Sequence, residues 1–223
     1  MNLLKPELYV GELPWGNTLG NHFCIASERN VRWFPGGVAF DVAHEQTEGW
    51  YMAPGWVRTP VTADYGFGWI VSKDQYGPGI YNMKCRLPNF RGSFPSWWFY
   101  DVLSPDEGGI QCEIDVFEHF RKDSFLTRFK TTQTYHDKGV MHKCKARWQF
   151  PPVDFDDMTF QFIWQENRIA WVVNGKQVME VFKDDVNQFP TKPMNIIIGS
   201  GLGDWNVQQE RLSPFIVHEL TKI

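Results

Sequence analysis

The stretch "RIAWVVNGKQVMEVF", Arg168 to Phe182, reads as a β-hairpin. Its arms "IAWVV" and "KQVMEV" are rich in β-branched and aromatic residues, and Asn174-Gly175 between them supplies the two positive-φ positions of a type I′ turn. Outward from this hairpin the same texture recurs. Short segments rich in Val, Ile, Phe, Trp and Tyr alternate with Gly, Pro, Asn and Asp, and helical periodicity is hard to find. The candidate strands are "NVRWF", "GGVAFDVAH", "GFGWIVSK", "GIYNMKCRLP", "SFPSWWFYDV", "QCEIDVFEHF", "RFKTTQTYHD", "MTFQFIWQE", the two hairpin arms, "MNIIIGS" and "PFIVHELTKI". About eleven strands is near the number that two packed sheets need, so an all-β sandwich or barrel is expected.

No repeat, low-complexity tract or linker divides the chain, and "QFPPVDFDDM" reads as a loop, so residues 1–223 are expected to form one domain. Hydrophobic residues make up 43% and aromatics 16%, with 11 Trp and 18 Phe, enough for one large core with aromatic faces to spare for flat sugar rings or bases. The net charge of −4 comes without any Lys/Arg-rich run, which argues against nucleic acid and for a neutral partner. Cys24, Cys85, Cys112 and Cys144 lie far apart with no C-x-x-C pair; buried thiols are expected, with neither a zinc site nor a redox motif. Pro6 and Glu7 interrupt the N-terminus before an apolar signal core forms, and no run of 18 apolar residues offers a membrane span.

"QCEIDVFEHF" carries three carboxylates in a strand. Alternation puts Glu113 and Asp115 on one face and Cys112, Ile114, Val116 and Glu118 on the other, which would bury Glu118 with the apolar residues at a cost of several kcal/mol for an unpaired ion. A β-bulge at Val116-Phe117 removes the conflict by returning Glu118 to the face of the other two acids. Four strand steps then separate Glu113 and Glu118 by roughly 13 Å between Cα atoms. Side chains leaning together bring the carboxyls to about 5 Å, the spacing of a retaining glycosidase. From spacing alone an acidic solvent face or a Ca²⁺ site is as good a reading.

The neighbouring residues resemble glycoside hydrolase family 16, the laminarinases, lichenases, agarases, carrageenases and xyloglucan transglycosylases. "EIDVFE" matches the family's bulged E-I-D-x-x-E signature, and "SKDQYGPGIYNMKCRLPNFRGSFPSWWFYD" is similar to its S-K-x-x-Y-G…Y-E-x-R-x-K-x-P…G-x-x-P-x-x-W block. Weaker similarity reaches "NVRWFPGGVAFDVAH", "MTFQFIWQENRIAWVVNGKQV" and "PFIVHELTKI". The resemblance implies a concanavalin A-like β-jelly-roll sandwich of two antiparallel sheets with a concave substrate cleft. It implies Glu113 as nucleophile, Asp115 as its assistant and Glu118 as general acid/base. Trp98 and Tyr100, on one face of "SFPSWWFYD", would meet substrate while Trp97 enters the core. His136 in "TTQTYHD" would lie near the reacting sugar, on the face of Thr132 and Thr134, and Trp205 in "GSGLGDW" would border the cleft.

The chain departs from the family in several places. The Trp that many members place before the catalytic glutamate is absent from "GGIQCE", the usual D-G turn is Asn174-Gly175, and the usual F-H is Phe155-Asp156. No cofactor is expected, and "IVHELTKI" lacks the preceding aspartate that often ligates a structural calcium in the family.

The reading is therefore an endo-acting retaining glycoside hydrolase on a β-linked polysaccharide, foremost a β-1,3- or mixed-linkage glucan. It is expected to act as a monomer, without nucleic-acid or membrane partners. A polymeric substrate favours an extracellular or periplasmic site. A galactan hydrolase of the agarase or carrageenase type is the runner-up, with Arg86, Arg91, Arg121, Arg128 and Lys130 as candidate cationic subsites for a sulfated chain. A transglycosylase would use the same three acids, and a non-catalytic carbohydrate-binding protein could be built on the same jelly roll.

Overall fold

A computed structural model of the chain describes residues 1–10, 16–18, 24–53, 57–90, 92–100, 111–120, 127–137, 140–150, 155–186, 189–203 and 212–223, with backbone pairing alone for 111, 120, 127–137 and 140–150. The described residues form sixteen strands and a few 3₁₀ turns. One sheet has nine strands and the other seven.

The nine-stranded sheet follows the order β1 (Tyr9–Val10), β6 (Val57–Tyr76), β15 (Met194–Leu202), β8 (Ser93–Tyr100), β9 (Gln111–Phe120), β10 (Thr127–Asp137), β11 (Val140–Phe150), with β2 (Ile25–Ala26) and β5 (Val42–Ala53) also paired to β6. The seven-stranded sheet runs β14 (Lys176–Phe182), β13 (Arg168–Val173), β12 (Met158–Trp164), β7 (Gly79–Arg86), β16 (Phe215–Lys222), β4 (Gly37–Phe40), β3 (Val31–Phe34). The strands pair antiparallel as expected, apart from the two-residue β2, which lies parallel to β6 with Ile25 opposite Gly66.

The hairpin is built as its sequence dictates, with Val173 opposite Lys176 and positive φ at Asn174 (48°) and Gly175 (76°). Other boundaries differ from the sequence reading. "GGVAFDVAH" is not one strand, because the chain leaves the seven-stranded sheet after Phe40 and enters the other at Val42. Asp41 makes the switch: its N–H donates to the Asn30 carbonyl (2.8 Å) and its own carbonyl accepts from Gly68 N–H (3.0 Å). Its carboxylate accepts from Arg32 Nη2 at 2.9 Å. β6 begins well before "GFGWIVSK", its first half pairing with β5 in a long ribbon whose polar residues hide the alternation. β11 is absent from the candidate strands for a related reason, since it ends the sheet and carries the Lys and Arg residues common on edge strands.

Between the sheets lies a core in which Trp97, Phe99, Ile114, Phe117, Phe160, Phe162, Trp164, Ile196, Ile198 and Phe215 are fully buried. Phe117 of β9 stacks on Phe160 of β12 at 4.2 Å, one sheet against the other. A second apolar cluster of Cys24, Ala26, Val42, Phe67, Trp69, Val71, Phe90, Ile197 and Leu202 packs against Trp98 and Tyr100. Because Ile197 belongs to this cluster while Ile196 and Ile198 belong to the first, the second lies on the opposite, outer face of the nine-stranded sheet.

The Ser72-led motif has a structural task. Ser72 is buried at the irregular register between β6 and β15, where its hydroxyl accepts from Ile196 N–H (2.8 Å) and donates to the Asp74 carbonyl (2.7 Å). Asn195 Nδ2 donates to the Ser72 carbonyl at 2.7 Å. A serine fits because one small hydroxyl satisfies both backbone groups that the shift frees.

Candidate active site

Strand β9 carries the acids, and its pairing shows how they are phased. On the β8 side Tyr100 stands opposite Glu113, Trp98 opposite Asp115 and Ser96 opposite Glu118. Residues 96, 98 and 100 alternate along a strand and share one face, and directly paired residues share a face too. All three acids therefore lie on that face. The register shifts between Trp97 and Trp98, where Phe117 and Asp115 are the successive partners and Val116 is the extra residue. On the other side β10 shows the same shift, with Lys130 opposite Glu118, Thr132 opposite Asp115 and Thr134 opposite Glu113. This is the bulge that the misfit of Glu118 demands, at Val116-Phe117.

Its cause is packing. Ile114, Val116 and Phe117 are all buried in the interlayer core, so the strand absorbs one surplus residue there in preference to turning Phe117 outward or Glu118 inward. Asp115 is 2% exposed, while Glu113 and Glu118 are half-buried.

The aromatic assignments divide as alternation requires. Trp97 is fully buried between the sheets, whereas Trp98 and Tyr100 are half-buried on the acid face, their rings edge-to-face at 5.6 Å. For His136 the backbone register alone is described: it stands opposite Gln111, two residues beyond the Thr134–Glu113 pair. Trp205 lies outside the described residues.

The sequence reading passes over one row of the face. Across the sheet Glu118 pairs with Ser96, Ser96 with Gly199 and Gly199 with Trp69. Ser96 follows from the same alternation that selects Trp98, so its signal is present in "SFPSWWFYD". Gly199 can be placed only by knowing which strand neighbours β8. A Cβ built on it would come within 2.5 Å of Trp69 Cβ. Among the described residues no set of three or more His, Cys, Asp and Glu side chains is arranged to hold a metal ion.

A carboxylate cluster beside two half-buried aromatic rings, on the outer face of a two-sheet sandwich, is where the likeness to known proteins becomes informative. The family model of glycosyl hydrolases family 16 matches residues 40–213. The chain belongs to that family. It is 28% identical over 155 residues to a beta-glucanase of Bacillus amyloliquefaciens, covering 66% of this chain and 59% of the relative. It is also 28% identical over 170 residues to a beta-glucanase of Bacillus subtilis strain 168, covering 73% and 64%. The family 16 chain thus spans about three fifths of the length of these relatives. Among solved structures, the laminarinase catalytic domain from Thermotoga maritima superposes with a TM-score of 0.77 at 17% identity, over 100% of this chain and 93% of that one. The fold is the family 16 jelly roll, with the acid strand inside the larger sheet.

Proposed function

We propose that this chain is an endo-acting retaining glycoside hydrolase that cleaves a β-1,3- or mixed-linkage glucan. The reading is carried by the bulged register of β9, which sets Glu113, Asp115 and Glu118 on one face across from Tyr100, Trp98 and Ser96. Glu113 attacks the anomeric carbon while Glu118, protonated, gives its proton to the departing glycosidic oxygen. The C–O bond to the leaving sugar breaks as the ester to Glu113 forms. Glu118, now a carboxylate, then takes a proton from water, whose oxygen attacks the anomeric carbon and releases Glu113. Asp115 sits between them on a shorter side chain and orients Glu113. Trp98 and Tyr100 offer ring faces to the sugars, with His136 and Trp205 as further contacts.

A neutral glucan is favoured by the net acidic charge and by the names of the curated relatives. The chain acts as a single catalytic domain and a monomer, and no step needs a metal. Glu113→Gln should abolish release of reducing ends from laminarin and lichenan while leaving the unfolding transition in place. Wild-type turnover by that variant would overturn the assignment. Glu118→Ala should regain activity on an activated aryl β-glucoside when azide is added, giving the β-glycosyl azide, the product expected of a retaining enzyme whose acid/base has been removed.

A further inference from the structure

The bulge in β9 has a support outside its own sheet. Trp171 of β13, in the opposing seven-stranded sheet, is 1% exposed and donates its indole N–H to the backbone carbonyl of Asp115 at 3.1 Å. Asp115 is the last regularly paired residue before the register skips Val116. In a regular strand a carbonyl points along the sheet toward its neighbours. Here it receives a donor from across the core, at the residue where the ladder is interrupted.

Trp171 is itself held from both neighbouring strands. It pairs with Phe162 on β12 and Met179 on β14, and its ring lies 5.6 Å from that of Phe162. The register of β13 on β14 also shifts immediately after Trp171. The indole is thus fixed by its own sheet before it meets β9.

We propose that Trp171 is a positioning residue for Glu118, its indole N–H adding to the core packing that favours the bulged register of β9 over the regular one. This inference rests on the catalytic reading proposed above. A strand has two ways to pass the sequence from Asp115 to Glu118. In the bulged form the Asp115 carbonyl turns toward Trp171 and Glu118 shares the face of Glu113. In the regular form Glu118 falls on the opposite face. Removing the donor withdraws a buried hydrogen bond from the bulged form alone, since that bond does not exist in the other. Losing such a bond shifts the ratio of the two registers by about a factor of ten toward the one that turns the acid away.

The test uses three variants and two substrates. Trp171→Phe keeps an aromatic ring and deletes the donor. Trp164→Phe is the matched control, because Trp164 is equally buried on neighbouring β12 and donates to a backbone carbonyl at the same 3.1 Å, that of Pro190, away from the acids. The substrates are lichenan, whose sugar leaving group needs the acid's proton, and an aryl β-glucoside with a nitrophenolate leaving group, which needs it far less.

Trp171→Phe should lower kcat on lichenan by up to about tenfold with KM little changed, and lower it much less on the aryl glucoside. Trp164→Phe should lose comparable thermal stability with wild-type kcat on both. A wild-type kcat for Trp171→Phe on lichenan, or an equal loss on both substrates, would overturn the proposal. Should the Phe variant not fold, β-(3-benzothienyl)alanine at position 171 keeps the bicyclic shape without the N–H and is read against the same outcomes. Glu113→Gln, assayed alongside, separates the two readings: its loss of turnover upholds the catalytic assignment whichever way Trp171→Phe falls.

Discussion

β12 and β15 are both apolar strands, yet β12 alternates, burying Met158, Phe160, Phe162 and Trp164 with less buried residues between, whereas β15 buries all nine of its residues from Met194 to Leu202. The difference lies in what covers the second face. The outer side of β12 meets solvent through Thr159 and Gln161, but Ile197 on the outer side of β15 sits under the second apolar cluster. The larger sheet is thus apolar on both sides over β15 and the second half of β6, and β9, two strands on, carries the acids on its outer face. The acid face has a dry flank. Cys24, Ala26 and Val42 join Phe67, Trp69 and Val71 in the buried apolar cluster of that flank, Ala26 and Val42 from strands paired to β6.

If both faces of β15 are core, adjacent residues on opposite sides should be about equally costly to truncate. Ile197→Ala and Ile198→Ala should each destabilise the protein by about 2–5 kcal/mol in urea unfolding, because both side chains are fully buried. An Ile197→Ala cost typical of a surface site, below about 0.5 kcal/mol, would break the comparison by showing that the outer layer is loosely held.

The same contrast explains what could be read in advance. "MTFQFIWQE" announces a strand because one face is wet, and "IAWVVNGKQV" announces a hairpin because its turn needs the two residues it has. "MNIIIGS" is equally a strand, but its unbroken apolar run says nothing of which side faces which layer. The acids of β9 were legible because a buried carboxylate is costly, so Glu118 could not be left in phase with Ile114. The rest of that row was not legible, since Gly199 and Trp69 line up with Ser96 and Glu118 only through the sheet order. Nor was Trp171, whose indole reaches Asp115 from the other sheet. The ribbon of β5 and β6 escaped because its residues alternate between half-buried and exposed without an apolar face of their own.

Gly199 sharpens the comparison at the border between dry flank and acids. With Trp69 Cβ 2.5 Å and the Gly68 carbonyl 2.7 Å from a Cβ placed there, Gly199→Val must displace Trp69 or the backbone. A cost of about 1–3 kcal/mol is expected, as for an overfilled core, and because Gly199 lies two strands from Glu118 the variant should also lose turnover. Wild-type stability and activity would mean that the outer layer gives way freely, unlike the core between the sheets.

The smallest effect is expected in the smaller sheet, at the turn from which its hairpin was read. Gly175 has a φ of 76° and nothing within 4 Å of a Cβ built on it, so Gly175→Ala meets no neighbour and isolates the backbone cost. That cost is about 1 kcal/mol for an L-residue held in the left-handed region. Gly36, with a φ of 99° and equally open space, provides a second site for the same measurement. Both variants should shift the urea midpoint modestly with an unchanged m-value and leave turnover of lichenan at the wild-type level. A larger loss at Gly175 would mean that the turn does more than close the hairpin, because β13 carries Trp171 only four residues before it and a displaced strand would move the indole from Asp115.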